Sequence, residues 1–481
     1  MTKLFGRLLV LAILAGSGAG AWKAWRAYEA RRSPRIVVLD PVVAGVERDC
    51  AIGLGILLRD QMEVSSASTV IVPSRPLPPD LPPGDLLLRF SGHREGDSLS
   101  LRVEWIAAGK RATGAAWSAF ETPMATPAEA FRRLGRGLPV ARLHDGAENL
   151  MPSDPARFWD LARQASIQED VAANADLEAS RKLAESAPDS AAAWVNLGEH
   201  IYRNLWTEPA GGDLPQARAV KAFDRALALV PGYPRAALLK GMLLTDMGDQ
   251  RSALRVLADG RGLRPRIPDL YGGLAYAGRT SGLMDGALRA LAARDRLTRP
   301  YRISQEWFAE NTYLYSGRWE DFRNSLPGNR DPFFLFYAGY LDLVQGDKVG
   351  ALPLFQEGAV ERRTSLPFSD LCTVYALALQ GRQDEALGNL RAFEEERGRL
   401  RVPDGELTFK VAEAYAFLDH PEEALTAAGR AFAQGFGCLA WYEASPLFAP
   451  ARHSPRWEGL RQHIRERQTL LEEAYPPDSF G

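Results

Sequence analysis

From about residue 150 to residue 440, apolar residues recur at i, i+3, i+4 and i+7 in blocks separated by short turns rich in Gly, Pro or Asp. That period predicts a long series of amphipathic helices. About eight helical hairpins are expected, the first over Phe158 to Ala187 and the last over Leu407 to Gln434. The preceding hundred residues or so follow another rhythm. Ile36 to Leu39 is a β-branched run, Ala51 to Met62 has helical spacing, and Ser68 to Val72 is a second β run ending at Pro73. Leu86 to Phe90 and Leu99 to Trp105 alternate apolar and polar residues around a turn at His93 to Asp97, which predicts an antiparallel hairpin. A further strand is expected over Ala115 to Phe120, and a closing helix over Pro127 to Leu138 with Ala130, Phe131 and Leu134 on its apolar side.

One stretch suits neither pattern. Leu8 to Trp22 carries no charge, and with Leu4 and Phe5 it reaches about the length needed to cross a bilayer, Arg7 being able to snorkel. A single transmembrane helix is the preferred reading. The same residues also satisfy a cleaved signal, since Lys3 and Arg7 form a basic start and Ala19-Gly20-Ala21 resembles a cleavage site. Trp22, Trp25 and Tyr28 stand where interfacial aromatics anchor a span, and Gly16 and Gly20 form a G-x-x-x-G pair. Lys23, Arg26, Arg31 and Arg32 follow the span and would by themselves favour a cytoplasmic placement of what comes after.

The helical part is internally periodic. Pro231 and Pro265, Gly248 and Gly282, Ala253 and Ala287, and Leu257 and Leu291 are each separated by 34 residues. Together with Trp194-x2-Leu197-Gly198, Phe223, Ala226 and Pro231, this register resembles the tetratricopeptide (TPR) repeat, with an insertion at Trp206 to Leu214. Small residues at Gly198, Gly241, Ala275 and Gly339 would let paired helices approach, and Phe223, Leu257, Leu291, Phe355 and Leu390 would fill the gaps. Pro231 and Pro265 should end second helices. Gly317, Gly346 and Gly381 mark later turns at uneven intervals, so the unit near Trp319 to Gly328 is expected to be short and the stack to kink there.

Two further stretches carry resemblances. Val38-Leu39-Asp40-Pro41, the run Gly53-Leu54-Gly55-Ile56-Leu57-Leu58 and Val70-Ile71-Val72-Pro73, followed by Leu86 to Gly92, Leu99 to Trp105 and Ala116-Trp117, resemble the TolB-like (FlgO-like) domain of bacterial envelope and signalling proteins. The family's first strand usually ends in proline plus an aromatic, whereas here Asp40 precedes Pro41 and Val42 follows it. Ala444-Ser445-Pro446-Leu447-Phe448-Ala449-Pro450 with Ser454-Pro455-Arg456-Trp457 resembles the ending of TPR arrays attached to bacterial kinases, cyclases and TolB-like domains. The expected fold is therefore mainly α: an N-terminal transmembrane helix and linker (1–34), a small α+β TolB-like domain (35–142), a TPR-type α-solenoid (150–440) and capping helices (441–481). The uncharged segment Leu8 to Trp22 together with the TolB-like resemblance leads to the expectation of a bacterial inner-membrane protein, single-pass, with its soluble part in the periplasm.

The chain's 481 residues allow two to four domains, with 46% apolar and 25% charged residues. Its 58 basic and 60 acidic residues cancel to a net charge of -2, which offers nucleic acid no attracting field. Cys50, Cys372 and Cys438 are too few and scattered for a disulfide framework or a zinc knuckle, and their odd number leaves at least one thiol free. His93, His144, His200, His420, His453 and His463 lack metal-site spacing and read as surface or capping residues. Gly53-x-Gly55 lacks the third glycine of a dinucleotide fingerprint and is read as close helix packing. Glu306, Glu310 and Asp321 are read as solvated. No nucleophile elbow, phosphate loop or kinase signature occurs. The reading is of a protein that is not an enzyme and needs no cofactor or metal.

The TPR resemblance implies that the first helix of each hairpin lines a concave groove. Its register places Tyr276, Arg279, Trp307, Asn311, Phe336, Tyr340, Phe368, Tyr375, Phe409 and Glu413 there. Aromatic anchors among scattered polar groups suit a protein or peptide partner, because they bury large area at low rotamer cost. The alternative is that the superhelix is tight and these rings pack on one another.

Overall fold

The structure is a computed structural model that describes residues 35–38, 42–72, 85–107, 118–122, 124–137, 147–165, 177–205, 215–299, 301, 309–326, 330–359, 367–398 and 404–481. The expected anchor at 1–34 lies outside the described residues, as do Asp40, Pro41, Pro73, Ala116, Trp117, Leu138, His144, the insertion Trp206 to Leu214, Glu306 and Trp307. Among the described residues, no helix is long and apolar enough to cross a membrane.

The chain is mainly helical, with one mixed sheet near its start. The sheet is built from β1 (Ile36–Val38), β2 (Val42–Ala44), β3 (Val70–Ile71), β4 (Leu86–Glu95), β5 (Ser98–Ala107) and β6 (Ser118–Glu121). Its order is β3-β1-β4-β5-β6, with β1 parallel to both neighbours and β5 antiparallel to both of its own. The β4–β5 hairpin runs five residues further than the alternation suggested. The reason is local: Gly96 takes φ +58, which lets a two-residue turn replace the broader one expected at His93 to Asp97. A short strand the pattern did not predict, β2, pairs with β4 beyond the end of β1, so that Val42 sits opposite Ser91.

Helices α1 (Arg48–Ser65) and α2 (Pro127–Gly137) contribute Leu54, Leu57, Phe131 and Leu134 to the same buried cluster as Ile36, Val38, Leu88, Phe90, Leu101 and Val103 from the sheet. That cluster does not stop where the first domain was expected to end. It continues into α3 (Pro155–Ala165), α4 (Leu177–Ser186), α5 (Ala191–Leu205), α6 (Pro215–Leu229) and α7 (Pro234–Asp246). The seam is very close: a Cβ on Gly53 of α1 would lie 1.7 Å from the carbonyl oxygen of Ala162 in α3. This glycine is required because two backbones meet there.

From α3 onward the helices pair as antiparallel hairpins. After α3/α4, α5/α6 and α7 with α8 (Gln250–Leu263) come α9 (Pro268–Thr280) with α10 (Met284–Thr298), and α11 (Asn311–Tyr315) with α12 (Trp319–Ser325). They are followed by α13 (Pro332–Val344) with α14 (Lys348–Gly358), α15 (Pro367–Leu379) with α16 (Gln383–Gly398), and α17 (Gly405–Phe417) with α18 (Pro421–Ala433). Helix α12, seven residues long, is the short element expected near Trp319. Small residues meet large ones as the register required: a Cβ on Gly198 would meet Phe223 at 2.7 Å, one on Gly241 would meet Leu257 at 2.5 Å, and one on Gly339 would meet Phe355 at 3.0 Å. Gly248, Gly282, Gly317, Gly346 and Gly381 close the first helices at φ between +73 and +86, and Asp419 occupies the corresponding turn of the last hairpin at φ +63. After α18 come α19 (Leu439–Ala444) and the 19-residue α20 (Arg456–Ala474).

Candidate functional site

The first helices of successive hairpins turn one side chain set toward a common interior, and α17 lies across it. Arg279 of α9 donates from Nη2 to Glu406 Oε2 of α17 at 2.6 Å. The other oxygen of Glu406 accepts from Asn311 Nδ2 at 2.7 Å and from the Tyr315 hydroxyl at 2.7 Å, both on α11. Asn311 Nδ2 also reaches the Tyr337 hydroxyl of α13 at 2.9 Å. Two turns further along α17, Glu413 Oε1 accepts from the Tyr340 hydroxyl at 2.6 Å, while Lys410 Nζ lies 3.1 Å from Glu413 Oε2 and 2.7 Å from the same tyrosine oxygen. On the other side, Asp246 at the end of α7 accepts from the hydroxyls of Tyr202 and Tyr276. Gln250 Nε2 donates to the Gly435 carbonyl at 2.8 Å, so the stack closes on itself between α8 and the end of α18.

Burial sets the electrostatics. Desolvation would raise the Glu406 carboxyl, but Arg279 and the Tyr315 hydroxyl hold it below its ordinary value. Asp246 has no cation as a hydrogen-bond partner in this network; burial, and then the charge of Asp404, push it up to about 8. Burial and the Glu406 charge likewise raise Asp404 to about 6. Lys410 is pulled down by burial, against the opposing pull of Glu413 and Glu406.

These residues line an interior and not an open groove, the tighter of the two arrangements that the register left open. Arg279, Asn311, Phe336, Tyr340, Tyr375, Phe409 and Glu413 are buried, Tyr276 is 8% exposed, and Phe368 is half-buried; Trp307 lies outside the described residues. Phe336 stacks on Tyr340 with centroids 5.6 Å apart and packs against Phe368 at 5.2 Å; Tyr375 stacks on Phe355 at 5.2 Å. The physical reason is the curvature of the stack, which brings α17 within ion-pair distance of α9. The structure thus joins most of the sequence-selected residues, but in an interior.

What covers them in part is the segment Gly437 to Phe448 of the same chain. The Gly437 N–H donates to the Thr280 carbonyl at 2.6 Å. Trp441 stacks on Tyr315 at 5.0 Å and donates its indole N–H to Glu413 Oε1 at 3.0 Å, and the Ser445 hydroxyl reaches the same oxygen at 2.6 Å. Tyr442 and Phe448 flank Phe409 at 4.1 and 5.2 Å. Sequence reasoning assigned Trp441 and Ser445 to a cap; the periodic register that finds helix faces carries no signal for a segment outside it.

Other sequence-selected groups fall elsewhere. His200 is fully buried, against the surface role expected: its Nδ1 faces the Ser180 hydroxyl at 2.5 Å, and burial lowers it to about 4. Glu310 is paired with Arg294 rather than solvated, whereas Asp321 is exposed beside Arg318. All three cysteines are free and buried. Among the described residues, no group of His, Cys, Asp and Glu side chains could hold a metal ion.

A second polar cluster ties the first domain to the hairpins. Asp60 of α1 accepts from the Tyr233 hydroxyl at 2.6 Å and pairs with Arg235 at 3.2 Å, and Arg235 also holds Glu199 at 2.6 Å. Arg59 pairs with Asp269, and Asp85 is shared by Arg35 at 2.8 Å and the Tyr301 hydroxyl at 2.7 Å. Compared with known proteins, the sequence matches no family model and no curated protein.

Proposed function

We propose that the chain is a non-catalytic, membrane-tethered scaffold of the bacterial envelope, in which a TPR-type solenoid behind a TolB-like domain binds polypeptide through the inner faces of its first helices. The observation that carries this reading is the seating of Gly437 to Phe448 on those faces. A backbone bond, a ring stack, a doubly used carboxylate and the packing of Tyr442 and Phe448 on Phe409 hold it. These are the means by which a groove grips a peptide. The inner-membrane location and periplasmic side rest on the uncharged segment Leu8 to Trp22 and on the TolB-like resemblance. Nucleic acid has no place in this reading, because the net charge is -2.

A second reading, a regulatory or sensory subunit for a separately encoded signalling enzyme, is favoured by one feature. The Asp60, Arg235 and Glu199 cluster and the Gly53 seam make the first domain and the first hairpins share one core. A ligand received by the first domain would therefore act directly on the stack. Affinity capture from detergent-solubilised membranes with the full chain tests both. Partners that co-purify under all conditions support the scaffold; an enzyme that associates only with a stimulus supports the regulator. Robust turnover of a substrate by the purified chain would defeat both.

A further inference from the structure

Whether the seated segment is a permanent part of the core or an occupant that can leave is decided by what its departure would strip from the inner face. Its backbone bonds close largely on themselves: Tyr442 N–H donates to the Cys438 carbonyl, Ser445 to Trp441 and Ala449 to Pro446. The bond that ties its main chain to the inner helices, from Gly437 to Thr280, uses a carbonyl in the last turn of α9, where helices leave carbonyls for water or other donors. Glu413 would keep Lys410 and the Tyr340 hydroxyl, so no buried charge would be orphaned. At its N-terminal flank Gly435 sits at φ +106 and Gly437 follows two residues later, and an added Cβ on them would meet Gly248 at 2.6 Å and Arg467 at 2.4 Å. From the outer side, Arg452 holds the Tyr442 and Ser445 carbonyls at 3.1 and 2.9 Å, and Arg467 of α20 holds those of Phe432 and Gly435 at 2.8 and 3.2 Å.

We infer that Gly437 to Phe448 is a built-in competitor, and that the partner of the inner face is a peptide of the same chemistry: an indole N–H and a hydroxyl four residues later for Glu413, with a second aromatic beside Phe409. This rests on the protein-binding reading above and names its ligand class and its control. The apparent affinity for such a peptide is its intrinsic affinity reduced by the fraction of molecules whose own segment is out.

The test uses the full chain in detergent and a labelled synthetic peptide of residues 436–449 carrying C438S, read by fluorescence anisotropy. R452A loosens the outer clasp without touching the inner face, and W441A/S445A weakens the resident segment at its own anchors. Both variants should bind the peptide at least about tenfold more tightly than the unaltered chain, following the rise in open fraction. Neither should bind a peptide in which the Trp441 and Ser445 positions are alanine. The inference is overturned if both variants melt like the unaltered chain and gain no binding, or if the substituted peptide binds equally well. It is also overturned if both variants lose the inner helices together with the segment in one lowered transition, because the segment is then core. Peptide binding without any captured membrane partner would defeat the scaffold reading alone, and partners captured by a chain that never binds the peptide would defeat this inference alone.

Discussion

Replacing Gly53 by alanine puts the union of the two parts of the chain under a single methyl group. The added carbon would stand 1.7 Å from the Ala162 oxygen and 2.7 Å from its carbonyl carbon, both backbone atoms of α3. Non-bonded carbon contacts settle near 3.5–4.0 Å, so α1 and α3 would have to part by more than about 1 Å along a seam lined by Leu54, Leu57, Phe158 and Trp159. Overpacking usually costs about 1–3 kcal/mol, and an immovable backbone obstacle places G53A at about 3 kcal/mol or above. The controls go the other way. Gly388 and Gly459 are helical with nothing within 4 Å of an added Cβ, so G388A and G459A should each stabilise by about 0.5–1 kcal/mol. Urea unfolding followed by far-UV circular dichroism compares the three. G53A within about 0.5 kcal/mol of the unaltered chain, the scatter of an ordinary surface substitution, would refute the seam.

The contribution of Asp246 to stability should fall as pH rises from about 4 to about 8, because the folded carboxyl keeps its proton up to about 8 while the unfolded one releases it near 3.8. D246N should flatten that slope in thermal melts. His200 acts oppositely: its folded pKa of about 4 lies below 6.5, so its contribution is present above 6.5 and is lost as pH falls toward 4, a loss that H200Q should remove. R279M leaves Glu406 without its cation in the interior and should cost about 3–5 kcal/mol, with most of it recovered in R279M/E406L. Turn conformation should count even in open space. G381A, at φ +80 with nothing nearby, should lose about 1 kcal/mol, and D419G should gain a few tenths to about 1 kcal/mol in the same melts.

Periodicity carried the hairpins because a helix that must bury one face writes it into every third or fourth residue. Gly198 against Phe223 and Gly241 against Leu257 follow from that register alone. The interior could not be read the same way. Arg279 and Glu406 are 127 residues apart, and their meeting depends on the summed rotation of every hairpin between them. A concave face and a filled interior share one sequence pattern, differing only in curvature. The missed strand β2 and the fusion at Gly53 have a similar origin: three residues carry no usable period, and a glycine in a helix does not say which backbone it admits. His200 looked like a surface residue because its partner Ser180 lies on the preceding hairpin.

Cys438 offers the most direct check that the inner face is closed by the segment Gly437 to Phe448. Its thiol is fully buried, 3.6 Å from Met284 Sδ, and burial raises it to about 12. Native full chain should be incubated with a thiol reagent at neutral pH and the modified residues located by peptide mass spectrometry. If the inner face is closed, Cys438 should resist modification until the protein is unfolded or R452A is introduced. Rapid modification of Cys438 in the unaltered chain, with its circular dichroism intact, would contradict it.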